Sequence, residues 1–533
     1  PKNMILTQDV FLNMDTRKTF RNNNVLVVGG SGSGKSRFMV KPNLLQANCS
    51  FVVTDPSGEL LESTGKFLED QGYKIKVFNL VEMQHSNCYN PFNYIRDDLG
   101  VLMMINCLIK NTNPTGADKG DPFWEKSETA LLQALCFYLI KYRPKNEQNF
   151  TSVMKLLRAA EVNENDPSQK SVLDRIFEDV EKKDPNSIAL KQYQTFKMGA
   201  GKTLKSILIS TSVRLTVFNM WQIENLTGTD DIDLGSIGDE KTALFVIIPA
   251  ADDTFNFLVS MMYSQLFETL YYHAETECEG KRLPYHVRFL LDEFANIGTI
   301  PDFEKKLATM RKYEISCTII LQNLAQLKTM YKDNWGSITG NCDSFLFLGG
   351  KEYDTLEAIS KELGDATIIV RNNSRSFGKS GSSSQSFNKT ARKLMTPDEL
   401  SRMPNSDCIL MIRGLKPFYG KKYDYPKHPN YKYTGDANDE FLYDVSAKFN
   451  NYKKKEENDD VVIENEKEQA EKVSKALENP KLKEELISSA KPVGEELLKA
   501  TNAKEPKELY EKTSNYVIED EGDVETWNFD INM

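Results

Sequence analysis

Histidine is scarce in this chain, and its cysteines follow no pattern. The 533 residues hold four histidines (His85, His273, His286, His428) and eight cysteines, with no C-x-x-C pair among them. No ligand spacing suits a metal, which argues against a zinc site. Several cysteines sit inside apolar runs and read as buried thiols of a reducing compartment, neither bridged nor ligating. Long hydrophobic runs are also missing. None approaches the roughly 18–20 residues that span a bilayer, and no signal peptide opens the chain. The chain starts at Pro1, and its first apolar run is already at residues 25–28. The natural N-terminus is therefore expected to be missing, and with it any membrane anchor.

Net positive charge is lacking too, but the deficit is local. The formal charge is −10, and residues 451–533 alone carry 13 Lys against 22 Asp or Glu. The body is nearly balanced and can carry a local basic surface. The tail, rich in Glu, Lys, Asn and Asp and poor in aromatics, is expected to be disordered or partly helical.

What is present is most specific at Gly29-Gly30-Ser31-Gly32-Ser33-Gly34-Lys35-Ser36. This segment fits G-x-x-x-x-G-K-[ST] completely, between the apolar run Val25–Val28 and a helix-compatible run, Arg37–Val40. Glycines let backbone N–H groups turn toward phosphate oxygens, and the following helix start adds partial positive charge. Lys35 would reach the β- and γ-phosphates of ATP, and Ser36 would hold Mg²⁺.

Such a loop needs a carboxylate on a neighbouring strand end. Val287-Arg288-Phe289-Leu290-Leu291-Asp292-Glu293 supplies one. Asp292 would hold Mg²⁺ through water, and Glu293 would polarise the attacking water. The next strand ends at Gln322, placed to hydrogen-bond the γ-phosphate or water. Arg311, on a helix expected over 301–311, could face a neighbouring subunit's nucleotide or be an ordinary solvated arginine.

A second glycine cluster, Gly199-Ala200-Gly201-Lys202-Thr203, is a decoy: Phe196 stands where the first glycine belongs, and no strand precedes it. Its surroundings matter more. From Pro185 to Ile223 there is no acid, while Lys191, Lys197, Lys202, Lys205 and Arg214 fall in that window. A stretch of that charge is a candidate contact for a DNA backbone, or a solvated face docked on acidic neighbours.

Near-continuous apolar runs at 25–28, 51–54, 75–78, 243–248, 287–291, 315–321, 345–348 and 408–412 read as strands buried on both faces, as in a parallel sheet. Helical patterns between them predict an α/β fold. The strand signal fades between about 146 and 222, where 151–161, 171–182 and most of 203–219 read as helices. The expected domains are a nucleotide-binding part at 1–145, an all-α insert at 146–222, a second nucleotide-binding part at 223–450 and the acidic tail at 451–533. Residues 371–393, rich in Ser and Asn with six Lys or Arg and no acid, read as a mobile loop.

Taken in order, Gly29–Ser36, Pro42-Asn43-Leu44-Leu45, Asp55-Pro56-Ser57-Gly58-Glu59-Leu60, Asp121-Pro122-Phe123-Trp124, Leu291-Asp292-Glu293-Phe294, Gln322 and Leu394-Met395-Thr396-Pro397-Asp398-Glu399-Leu400 resemble the TraG/TraD-like type IV coupling proteins, the conjugative DNA-transfer ATPases of type IV secretion systems. The resemblance covers residues 20–430. It implies a RecA/FtsK-like P-loop domain with a mostly parallel sheet and an inserted all-α domain. It also implies a homo-hexameric ring at the cytoplasmic face of the membrane, with Arg311 and Gln322 at the arginine-finger and sensor positions. The implied partners are DNA with its bound relaxase and components of the secretion channel. The family usually carries a Lys where this chain has Ser57, and two N-terminal membrane helices not found here. Besides a DNA motor, the sequence leaves open a receptor platform for secreted proteins with hydrolysis used as a switch, and a generic FtsK-like translocase.

Overall fold

The computed structural model describes residues 2–112, 122–160, 170–199, 201–250, 252–375 and 383–449. All lie in one compact unit, Pro1–Asn451. The expectations for the tail (451–533), for Asp121 and for Ala200 fall outside the described residues.

Among the described residues thirteen strands form: β1 (Asn3–Ile5), β2 (Phe11–Asn13), β3 (Val25–Val28), β4 (Ser50–Pro56), β5 (Lys74–Asn79), β6 (Thr242–Ile248), β7 (Val287–Leu291), β8 (Ile315–Leu321), β9 (Ser344–Phe347), β10 (Asp365–Arg375), β11 (Ser383–Lys393), β12 (Asp407–Ile412) and β13 (Phe418–Lys421). Nine make one sheet in the order β13-β12-β9-β3-β8-β7-β4-β6-β5. The seven from β9 to β5 are parallel, and β12 and β13 close one side as antiparallel strands. This is a RecA-type P-loop sheet, mostly parallel, as the apolar runs predict.

Those runs are apolar on both faces because both faces are covered. Leu26 and Val28 of β3 join a core with helices Asp98–Thr112, Pro122–Tyr142 and Asn256–Thr276. Val25 and Val27 join a second core with helix Glu59–Asp70 on the opposite face. The exception is Arg288 of β7, fully buried. Its guanidinium donates to Asn43 Oδ1 (2.8 Å) and Thr318 Oγ1 (3.1 Å), and burial lowers its pKa to about 10. Desolvation disfavours the charged form, so these bonds are what make the position tolerable.

Between β5 and β6 the described residues form helices and turns, with no strand. The described helices of this region run from Asp98–Thr112 to Trp221–Gly228, and Pro122–Tyr142 packs along Ile188–Lys197. No described helix is long and apolar enough to cross a membrane. Six of the eight cysteines are buried, and the other two are partly so.

One expectation is overturned. Residues 371–393 are not simply a loop: β10 and β11 form a separate antiparallel hairpin, paired from Asp365↔Lys393 to Arg375↔Ser383. Residues 376–382 lie outside the described residues. The hairpin escaped the sequence reading because its strands face no core, so the alternation of apolar and polar residues that marks a half-buried strand is missing.

Candidate nucleotide-binding site

The parallel strands bring their carboxyl ends to one edge, where ligands of open α/β sheets bind. β3 sits between β9 and β8, and its last residue runs into Gly29. Gly29 N–H donates to Leu321 O at the end of β8 (3.0 Å), and Gly30 N–H donates to Gly349 O beyond β9 (2.9 Å). The loop is thus pinned on both sides. Gly32 and Gly34 have φ of +73° and +79°, the left-handed region that glycine enters without steric cost. A Cβ on Gly34 would also lie 2.4 Å from the Phe38 ring. Ser36 opens a wide π turn, Ser36–Val40, that leads into helix Lys41–Leu44.

Two strands away, β7 delivers Asp292 and Glu293 to the same edge. Ser36 Oγ donates to Asp292 Oδ2 (2.5 Å), and Lys35 Nζ lies 3.3 Å from Glu293 Oε1. Lys35 and Asp292 are buried, and Glu293 is only 21% exposed. Burial pushes the Asp292 carboxyl up to about 6, against the lowering hydrogen bond from Ser36. Glu293 stands at φ +48°, with its N–H on Asp292 Oδ1 (3.0 Å). A non-glycine residue held there turns its carboxylate back toward the loop at some cost in backbone energy. From β8, which lies between β3 and β7, Gln322 Nε2 donates to Glu293 Oε2 (3.2 Å).

Lys35, Ser36, Asp292, Glu293 and Gln322 therefore converge, behind the backbone of Gly29, Gly30, Ser31, Gly32, Ser33 and Gly34. The oxygens of Ser36 and Asp292 are the hard donors Mg²⁺ requires. Ser33 Oγ is buried with no hydrogen-bond partner, an open polar group inside a phosphate-type loop. The residues present fit Mg²⁺ and a nucleotide phosphate.

One contributor was invisible in the sequence, and the role of another was unread although its motif was seen. Lys422, beyond β13, is buried and donates from Nζ to Ser33 O (2.9 Å), bracing the loop from 389 residues away, and its ammonium lies over the Phe38 ring. Burial lowers its pKa. No local pattern marks such a residue. Asp55, at the end of β4, is fully buried and accepts from Leu60 N–H (3.0 Å) and Leu61 N–H (2.7 Å), anchoring the start of helix Glu59–Asp70. Burial pushes it up to about 7, with the Asp292 charge adding to the rise.

Other candidates lie apart. Arg311 precedes β8, whereas Gln322 follows it, so it sits at the opposite edge of the sheet from its own chain's loop. Its guanidinium donates to Thr16 O (2.8 Å). In the basic stretch, Lys191, Lys202 and Lys205 are exposed, and Lys197 pairs with Asp174 (2.9 Å). Arg214 is a correction. It is half-buried between helices, donating to Glu128 Oε2 (2.7 Å) and Thr112 Oγ1 (2.6 Å), so its charge is already paired within the chain. Lys202 and Thr203 lie in the first turn of helix Gly201–Arg214, which follows another helix and no strand, as the decoy reading expects. His273 does approach Asp239 and Cys278, but both its nitrogens are engaged, with Asp239 (2.7 Å) and Glu277 (2.9 Å).

A parallel sheet with a glycine loop, a lysine and serine, and an Asp-Glu pair on one edge defines the P-loop nucleotide-binding class. Within that class, residues 2–457 match the family described as "Type IV secretory system Conjugative DNA transfer", and the chain belongs to it. The conjugal transfer protein TraG of Rhizobium radiobacter is 24% identical over 412 residues, covering 75% of this chain and 61% of that protein. Protein VirD4 of the same organism is 24% identical over 417 residues, covering 75% and 56%. The chain thus spans about three fifths of these relatives' length. Among solved structures, the conjugative coupling protein TrwB lacking its first 70 residues superposes with a TM-score of 0.57 at 16% identity, over 80% of this chain and 88% of that one. TrwB in complex with ADP and Mg²⁺ gives 0.56 at 16% identity, over 79% and 88%. That likeness establishes the fold.

Proposed function

We propose that this chain is an ATP-hydrolysing coupling protein that drives relaxase-bound DNA toward a type IV secretion channel. The observation that carries the reading is the convergence of Lys35 and Ser36 with Asp292 and Glu293 on one sheet edge. Family membership gives the DNA-transfer context, and the nucleotide complexes of TrwB support ATP and Mg²⁺ as ligands.

In this reading the loop N–H groups and Lys35 bind the phosphates, and Ser36 and Asp292 would hold Mg²⁺, whose chemistry there would be to neutralise charge on the transferring phosphoryl group. Glu293 orients the attacking water and accepts its proton. Gln322, already on Glu293, senses the γ-phosphate. Arg311 serves the site of the next subunit in a homo-hexameric ring at the cytoplasmic membrane face, because it lies too far from its own. The exposed Lys191, Lys197, Lys202 and Lys205 are candidate DNA contacts.

Phosphate release measured with and without DNA tests the reading. Strong stimulation by DNA supports a motor. Hydrolysis with no response to DNA sinks it and favours a protein-recruiting platform.

A further inference from the structure

The β10–β11 hairpin serves no part of the nucleotide site, and its described residues are almost all solvent-exposed. Every described side chain from Ile369 to Asn372 and from Gln385 to Lys393 is exposed. A two-stranded ribbon is marginal by itself in water. Pairing sets Arg371 opposite Phe387 and Ile369 opposite Lys389, so these four share one face by the two-residue period of strands. Phe387 is 58% exposed and Ile369 64%. The Arg371 guanidinium lies over the Phe387 ring, 5.1 Å from its centroid. Lys393 and Arg392 at the base pair with Asp365 and Glu399, whereas Arg371 and Lys389 make no ion pair among the described residues. No acid occurs between residues 366 and 393, in a chain of net charge −10.

We infer that this face is a binding site for single-stranded DNA. An exposed aromatic ring flanked by Arg and Lys is what an unpaired polynucleotide requires: a platform for a base, and cations for the phosphates on either side. A duplex keeps its bases stacked inside and has no use for Phe387, and an apolar protein partner would leave two cations unmatched. The hairpin is also tied to the nucleotide edge. Just past Gln322, Leu324 N–H donates to Thr355 Oγ1 (2.9 Å) on helix Tyr353–Leu363. That helix leads directly into β10, and its Ser360 Oγ donates to Met395 O (2.6 Å) below β11.

This assignment rests on the DNA-transfer reading and names the surface that would do the gripping. The test is fluorescence anisotropy of the full chain with a labelled 30-nucleotide oligo(dT), and with a duplex of equal length, over a salt series. Phe387→Ala is expected to weaken oligo(dT) binding at least about fivefold and duplex binding far less, with Phe387→Trp restoring it. Arg371→Ala with Lys389→Ala should reduce the salt slope by about 1.4, near 0.7 for each cation. Unchanged thermal midpoints establish that these surface variants are folded. If the unmodified chain binds oligo(dT) and the variants bind equally well, the hairpin assignment falls while the motor reading stands. Equal losses on oligo(dT) and duplex refute base stacking and with it the single-strand assignment. An unmodified chain that binds no DNA overturns both.

Discussion

Lys35 and Glu293 face each other at 3.3 Å, and the proposed function gives them separate jobs, holding phosphate and activating water. Removing the carboxylate charge alone leaves every phosphate donor in place. Glu293→Gln is expected to bind ATP near normally and to turn over about 10²- to 10⁴-fold more slowly, the usual span for losing a positioned base. Lys35→Ala should abolish hydrolysis while DNA affinity stays largely intact, because no DNA candidate touches the loop. Phosphate release read beside nucleotide and oligonucleotide affinity checks both, and parallel loss of DNA affinity in Lys35→Ala would count against separate sites.

Asp55 carries a pH signature of its own. Its folded pKa, about 7, lies above the usual carboxylate value near 3.9, so the folded state holds this proton longer than the unfolded one. Whatever stability this group contributes is present at low pH and is lost as pH rises toward 7, by up to about 1.4 kcal/mol for each pH unit between about 4 and 7. Asp55→Asn cannot ionise. Urea unfolding at pH 5 and pH 8 should therefore show a smaller decline in stability across that interval for Asp55→Asn than for the unmodified chain. Identical declines would mean that Asp55 is ionised throughout.

At this scale the site was legible where it was local. Gly29 to Ser36 form one contiguous turn, and Asp292-Glu293 ends an apolar strand, so both announce themselves. Lys422 does not, because its role depends on β13 returning the chain to a loop 389 residues earlier. Arg214 misled for the same reason: its partner Glu128 lies 86 residues away on another helix, so the acid-free window around it looked more basic than the folded surface is.

At the scale of elements, Glu128 and Arg214 bind helix Pro122–Tyr142 to helix Gly201–Arg214. Their side chains are 3% and 11% exposed, and Ser210 also donates to Glu128. Breaking one side of a buried pair strands the other charge, which costs about 3–5 kcal/mol, whereas replacing both with apolar residues of similar volume is often neutral. Glu128→Ala should lose about 3 kcal/mol in urea unfolding, and Glu128→Met with Arg214→Leu should recover most of it. The double variant should leave the salt dependence of DNA binding unchanged, since the Arg214 guanidinium is already engaged by Glu128 and Thr112. A reduced slope would return Arg214 to the DNA surface. The eight core strands were legible for the converse reason, each being mainly apolar over its buried length. The helices showed through their own periodicity. Only pairing, not burial, makes β10 and β11 strands.

At the scale of the whole molecule, the candidate residues lie at two ends of the sheet. The carboxyl ends of β3, β7 and β8 hold the phosphate loop, the carboxylates and Gln322, and Arg311 stands before β8 at the other end. Seven residues of strand separate these positions, roughly 23 Å at the usual rise. A guanidinium side chain cannot bridge that distance, so if Arg311 acts in hydrolysis it acts on a neighbouring copy. Arg311→Ala should then be inactive with nucleotide affinity retained, as Glu293→Gln is. Mixing the two inactive variants makes the argument decisive. Where an Arg311→Ala subunit offers its intact Glu293 to a Glu293→Gln neighbour that still supplies Arg311, one interface is complete, and phosphate release should reappear in the mixture. An arginine working within its own chain gives no such recovery, since every subunit would still carry one lesion.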